Sequence, residues 1–117
     1  TTLNEDELLI ILETLFENAI KHAGIAPSDM TVVIALKATE QSVKLTYADN
    51  GKGVIPGEEK QLFDRNFRGK RAAKGGSGLG LSIVADIVTT HNGIVTAGNR
   101  PDGGLQIVLQ FPQKQKR

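Results

Sequence analysis

Residues 31–53 read TVVIALKATEQSVKLTYADNGKG, and the fold turns on them. Residues 31–39 are rich in β-branched side chains, with Val32, Ile34 and Leu36 alternating. Residues 42–48 repeat the pattern with Val43, Leu45 and Tyr47. Side chains alternate between the two faces of a strand, so each run presents one apolar face. The two-residue link Glu40-Gln41 predicts an antiparallel hairpin, although it is not a favoured turn pair. Turn chemistry follows at 49–57, carried by Gly51, Gly53, Pro56 and Gly57.

Working outward, residues 5–23 form a helix. Asn4 and Glu7 make a capping pair, and Asp6 and Glu7 suit a helix start. Leu8, Leu9, Ile11, Leu12, Leu15, Phe16, Ala19, Ile20 and His22 share a broad arc, and Glu13, Glu17 and Lys21 face away. Gly24 ends the helix. Beyond the hairpin, a short helix covers 58–63. A basic, glycine-rich stretch covers 64–78, and a helix covers 79–91 with Leu81, Val84, Ile87 and Val88 as its stripe. Asn92-Gly93 stops it. Runs 94–97 and 105–111 predict a second hairpin, and 113–117 is a polar tail. Helix, two strands, loop, helix, two strands is an α+β order. It predicts a two-layer sandwich with helices on one face of a mostly antiparallel, mixed sheet. Without β-α-β alternation, a doubly wound nucleotide fold is disfavoured. A single domain over 1–112 followed by the tail 113–117 fits the length.

Composition excludes several classes. The 117 residues include no Cys, which removes disulfides, zinc–thiolate sites and thiol nucleophiles and fits a cytoplasmic setting. A formal net charge of +1 and few aromatics give no reason to expect nucleic acid as a partner. The longest apolar run, 8–12, is far short of a membrane span, so no direct membrane contact is expected.

Four clusters can carry chemistry. Glu17-Asn18-Ala19-Ile20-Lys21-His22 sets an amide, an ammonium and an imidazole on the first helix. A neutral amide oxygen can hold Mg²⁺ beside substrate phosphates, with Lys offsetting their charge. Alone, the segment reads as well as a helix edge with a Glu17–Lys21 surface pair. Asp49-Asn50-Gly51-Lys52-Gly53 puts a carboxylate at a strand end, where it can accept from a purine amino group, with glycines that permit close approach. Alone, it is also a tight turn. Leu62-Phe63-Asp64-Arg65-Asn66-Phe67-Arg68 has the makings of a hinged lid whose Arg side chains meet phosphates, or of a solvated basic loop. Gly75-Gly76-Ser77-Gly78-Leu79-Gly80-Leu81 opens a helix, where backbone N–H groups attract anions. It matches neither the dinucleotide fingerprint nor the P-loop.

In this order the four clusters resemble the N, G1, F and G2 boxes of the sensor histidine kinase catalytic domain. That branch belongs to a superfamily that also includes gyrase, a group of heat-shock chaperones and MutL. Asn18-Ala19-Ile20-Lys21-His22, Gly78-Leu79-Gly80-Leu81-Ser82-Ile83-Val84 and His91-Asn92-Gly93 look like the kinase branch in particular. The resemblance implies a Bergerat-type ATP-binding fold. By it, Asn18 would ligate Mg²⁺, with Lys21, His22 and Arg68 on the phosphate side. Asp49 would accept from adenine, with Gly51 and Gly53 lining its pocket. Gly76, Gly78, Leu79 and Gly80 would shape the lid and its return to the helix. Asn18 and Lys21 would be the catalytic pair. The implied reaction is donation of the ATP γ-phosphoryl group to a histidine on a separate dimerisation domain, and indirectly to a response regulator. The resemblance also leaves open an anti-sigma-type serine kinase or a nucleotide-binding docking module. Thr14 stands where the ATPase branches carry a water-activating Glu, which argues against a self-contained hydrolase. Asn66 stands where the F box often has Phe.

Overall fold

The computed structural model describes residues 3–22, 25–63 and 80–113, with the backbone alone at Lys21, His22, Pro27 and Lys60. The lid segment 64–78, the proposed C-terminal glycine of the first helix (Gly24) and the last four residues of the tail lie outside it. Helix α1 spans Glu5–His22 and α2 spans Gly80–Thr90. The strands are β1 (Val32–Ala38), β2 (Ser42–Asp49), β3 (Ile94–Asn99) and β4 (Leu105–Pro112). Single 3-10 turns occupy Pro27–Asp29, which the sequence reading missed, and Glu59–Gln61, where it placed a short helix.

Both hairpins form as expected. In the first, Thr39 N–H donates to the Ser42 carbonyl at 2.8 Å. The Thr39 hydroxyl then accepts from Gln41 N at 3.2 Å and Ser42 N at 3.0 Å. That side chain closes the turn which Glu40-Gln41 alone would form poorly. The two hairpins join through β2 and β4, giving the order β1-β2-β4-β3. Every pairing among the described strands is antiparallel, so the mixed component of the expectation is not among them.

The register sets one face of the sheet against the helices. Leu45 and Tyr47 of β2 oppose Leu109 and Ile107 of β4. With Leu105 and Phe111 they meet Ile11, Leu15 and Ala19 of α1 and Leu81, Val84 and Val88 of α2, all buried. Less of the α1 arc is covered than its breadth suggests: Leu9, Phe16 and Ile20 are exposed. One sheet offers one face, so the stripe through Ile11 and Leu15 docks and the flank of the arc does not. The first turns of α1 lie where Leu3, Leu8 and Ile11 share an apolar groove of about 220 Å³ with Leu36, Val43 and Phe111.

The helix ends are tied to each other. Asn4 and Glu7 form the predicted reciprocal cap: Glu7 N donates to Asn4 Oδ1 at 2.8 Å, and Asn4 N to Glu7 Oε1 at 3.2 Å. The second oxygen of Glu7 lies 2.8 Å from His91 Nε2, just past α2. An ionised carboxylate only accepts, so His91 donates. After Thr90, Asn92 adopts φ 60°. Asn92 N reaches the Thr89 carbonyl at 3.0 Å and Gly93 N the Val88 carbonyl at 2.8 Å. This left-handed cap satisfies the last carbonyls of α2 and turns the chain into β3.

Two predictions follow from these ends. A Cβ on Gly93 would stand 2.7 Å from the Gln110 carbonyl oxygen and 2.9 Å from Val88 Cγ1. Gly93→Ala should therefore cost about 1–3 kcal/mol, read from urea unfolding. The hydrogen bond from His91, then that from Asn4, holds the Glu7 carboxyl below its ordinary value of 4.5. A depressed folded value means stability that is complete above 4.5 and lost as pH falls through the folded value. Glu7→Gln should be the less stable protein at neutral pH, and the gap should close below pH 4.5 in denaturation curves at stepped pH.

Candidate functional site

The site is built at the end of β2. Alternation along the strand puts Asp49 on the same face as Leu45 and Tyr47, turned toward the helices and 4% exposed. A buried carboxylate needs donors. Oδ1 accepts from Gly51 N at 2.9 Å and from Leu105 N at 3.1 Å. Oδ2 accepts from the Tyr47 hydroxyl at 2.5 Å. Burial, and then the adjoining carboxylate, push the Tyr47 phenol far above its ordinary value of 10, so it keeps its proton and donates. A carboxylate offers about four acceptor positions. Among the described residues three donors fill three of them, which leaves one on Oδ2.

The loop after Asp49 is braced by two asparagine side chains. Asn50 accepts from Thr31 N at 2.7 Å and donates to the Asp29 carbonyl at 3.0 Å. Asn99, at the end of β3, accepts from Val54 N at 2.8 Å and donates to the Val54 carbonyl at 2.7 Å. Gly53 has φ +69°, and a side chain there would collide with the Asn99 amide. Its glycine is thus demanded by the loop's own packing, in addition to any approach by a ring. Gly104, at φ +96°, presses on the Asp49 carbonyl with no room for a Cβ. Arg100 Nη1 donates to that same carbonyl at 2.7 Å.

Tyr47, Asn99, Arg100, Gly104 and the Leu105 amide were not singled out from sequence. Tyr47 reads there as one more apolar face residue. The stretch 99–104 reads as turn, because nothing local says that it folds back on Asp49.

Asn18 is partly buried and sits seven residues after Ile11, on the same helical stripe. It lies roughly 15 Å along the axis from Leu8 and the apolar groove. That groove contains Val43, at the opposite end of β2 from Asp49, and is no part of this site. Thr14 is also partly buried, whereas Glu13 and Glu17 are exposed. Lys21 and His22 close α1, and Gly80 opens α2. Arg68, Gly76, Gly78 and Leu79 lie outside the described residues. Among the described residues no group of three or more His, Cys, Asp or Glu is placed to hold a metal ion. One neutral amide is a sufficient protein ligand for Mg²⁺ only when phosphates and water supply the rest, and the donor set fits that case. Among the described residues no helix is long and apolar enough to cross a membrane.

Known proteins carry the same architecture. Sensor protein KdpD of Escherichia coli K12 is 40% identical over 105 residues, covering 89% of this chain and 11% of its own. The signal transduction histidine-protein kinase BaeS of the same strain is 34% identical over 112 residues, covering 93% of this chain and 23% of its own. The chain thus spans less than a quarter of the length of either. The solved structure of the mycobacterial sensor histidine kinase MprB superposes with a TM-score of 0.80 at 27% identity, over 97% of this chain and 76% of that one. Residues 3–115 match the family described as histidine kinase-, DNA gyrase B- and HSP90-like ATPase. With nearly its whole length matched and its fold shared with kinase domains, the chain belongs to that family and is an ATP-binding catalytic domain of the sensor histidine kinase type.

Proposed function

We propose that this domain, residues 1–112 with a short polar tail, binds ATP and donates its γ-phosphoryl group to a histidine on a separate dimerisation domain. That histidine domain then passes the group to a response regulator. The observation that carries the reading is the Asp49 carboxylate, buried and held by three donors, with one acceptor position left on Oδ2 among the described residues. An adenine exocyclic amine is a donor of the right kind for that position. Gly51, whose N–H holds Oδ1, and Gly53 would line the pocket around the base.

Asn18 is the residue for Mg²⁺, which when bound would offset phosphate charge. Lys21, His22 and Arg68 serve the phosphates, and the segment with Gly76, Gly78, Leu79 and Gly80 covers them. Phosphoryl transfer asks a protein mainly for positioning and charge neutralisation. In this reading Asp49 would orient the base and Asn18 of α1 the metal-bound phosphates. The exposed Glu13 and Glu17 are turned off the Asn18 stripe, and Thr14 is no base. Water is therefore poorly activated, and the domain alone turns over little ATP. As a consumer of ATP it works in the cytoplasm.

Calorimetric titration with a non-hydrolysable ATP analogue tests the reading. Asp49→Asn turns an amide N–H₂ or a weaker acceptor toward the backbone donors, and should weaken binding by roughly a hundredfold or more. Asn18→Ala should retain Mg²⁺-free binding and lose most of the gain that Mg²⁺ brings. Unchanged affinity in Asp49→Asn would refute the adenine assignment. Added to the histidine-bearing domain with ATP, the protein should produce acid-labile phosphate; an acid-stable product would refute the histidine acceptor.

A further inference from the structure

We propose that Tyr47 is a positioning residue that sets base specificity: by donating to Asp49 Oδ2, it leaves that carboxylate a single open acceptor direction, matched to the one exocyclic amine of adenine. The proposal rests on the reading of Asp49 as the adenine acceptor.

The geometry is a matter of counting directions. Two backbone amides, from Gly51 and Leu105, occupy Oδ1. The Tyr47 hydroxyl occupies one side of Oδ2 at 2.5 Å, within the range of short charge-assisted O–H···O⁻ bonds. The Tyr47 ring is 0% exposed. It is flanked in register by Ile34 on β1 and Ile107 on β4, so the hydroxyl has no water to turn to. Because the phenol holds its proton, its one O–H is committed to Asp49 Oδ2.

Guanine presents two neighbouring donors, its ring N–H and its 2-amino group, and a single open direction satisfies one of them. The second would be buried without a partner, which is costly. Adenine presents one amine on that edge, and one of its N–H bonds takes the open direction without a second ring donor beside it. Phenylalanine at 47 would keep the ring and its packing but vacate a side of Oδ2. The carboxylate could then accept a second donor, and its plane would be held from Oδ1 alone.

Titrations of wild type and Tyr47→Phe with non-hydrolysable ATP and GTP analogues separate the possibilities. The expected result is a wild type that prefers the adenine nucleotide, and a variant in which the preference narrows by about tenfold. A purely structural role for Tyr47 would move both affinities together and leave their ratio alone. An unchanged ratio in Tyr47→Phe overturns the proposal and leaves the Asp49 reading standing. A wild type without adenine preference, or Asp49→Asn with full ATP affinity, overturns both.

A second measurement needs no variant. The chain has one Tyr and no Trp, so its intrinsic fluorescence reports Tyr47 alone. Saturation with the ATP analogue should change that signal at the half-saturation found by calorimetry. A signal unmoved at saturation would show that the hydroxyl does not sense the bound base.

Discussion

One buried carboxyl group, that of Asp49, organises the end of the sheet where β2 stops. Asp49 is taken out of water at the end of a central strand, where an unpaired carboxylate would be strongly destabilising. Its donors come from three separate places: the next loop through Gly51, the start of β4 through Leu105, and its own strand through Tyr47. Satisfying the charge therefore pins the loop after β2 to the opening of β4. Gly104 makes the approach possible, and Arg100 seals it through the Asp49 carbonyl. The remaining acceptor position is a consequence of this arrangement, since three donors do not fill four places. The proposed recognition of the base and local stability thus draw on the same atoms.

The opposite end of the sandwich has a different logic. There the surfaces are apolar, and the polar contacts lie at helix termini. Glu7 caps its own helix with one oxygen and holds His91 with the other. This joins the start of α1 to the exit of α2. α1 carries Asn18 and α2 begins at Gly80. The contact thereby helps set the relative placement of the two helices. The cap at Asn92 and the crowding around Gly93 fix the same exit from the other side. That is a physical reason for a rigid His91-Asn92-Gly93 turn, apart from any chemistry.

Hydrophobic periodicity made both long helices, both hairpins and the α+β class legible, with boundaries within one or two residues. The Asn4–Glu7 cap was legible because it is local, written within four residues. So were the candidates Asn18 and Asp49: an amide at a helix edge and an acid at a strand end announce themselves by type and position. The pairing of β2 with β4 was not legible. Each hairpin carries the same alternating pattern, and either strand of the second offers an apolar face to the first. Only the common burial of Leu45, Tyr47, Ile107 and Leu109 beneath two helices selects the order β1-β2-β4-β3.

Residues a few places apart suffice to write the elements, their faces and the chemical types offered to a phosphate and a base, so these were readable along the chain. The tertiary structure alone decided how Asp49 is held and which direction it leaves open. Its partner Leu105 is 56 residues away along the chain. A hydrogen bond over that separation exists only once the sheet has brought the strands together. Tyr47 shows the same division within a single residue: its ring was written in the alternation of the strand, while the role of its hydroxyl depended on a burial that no local pattern encodes.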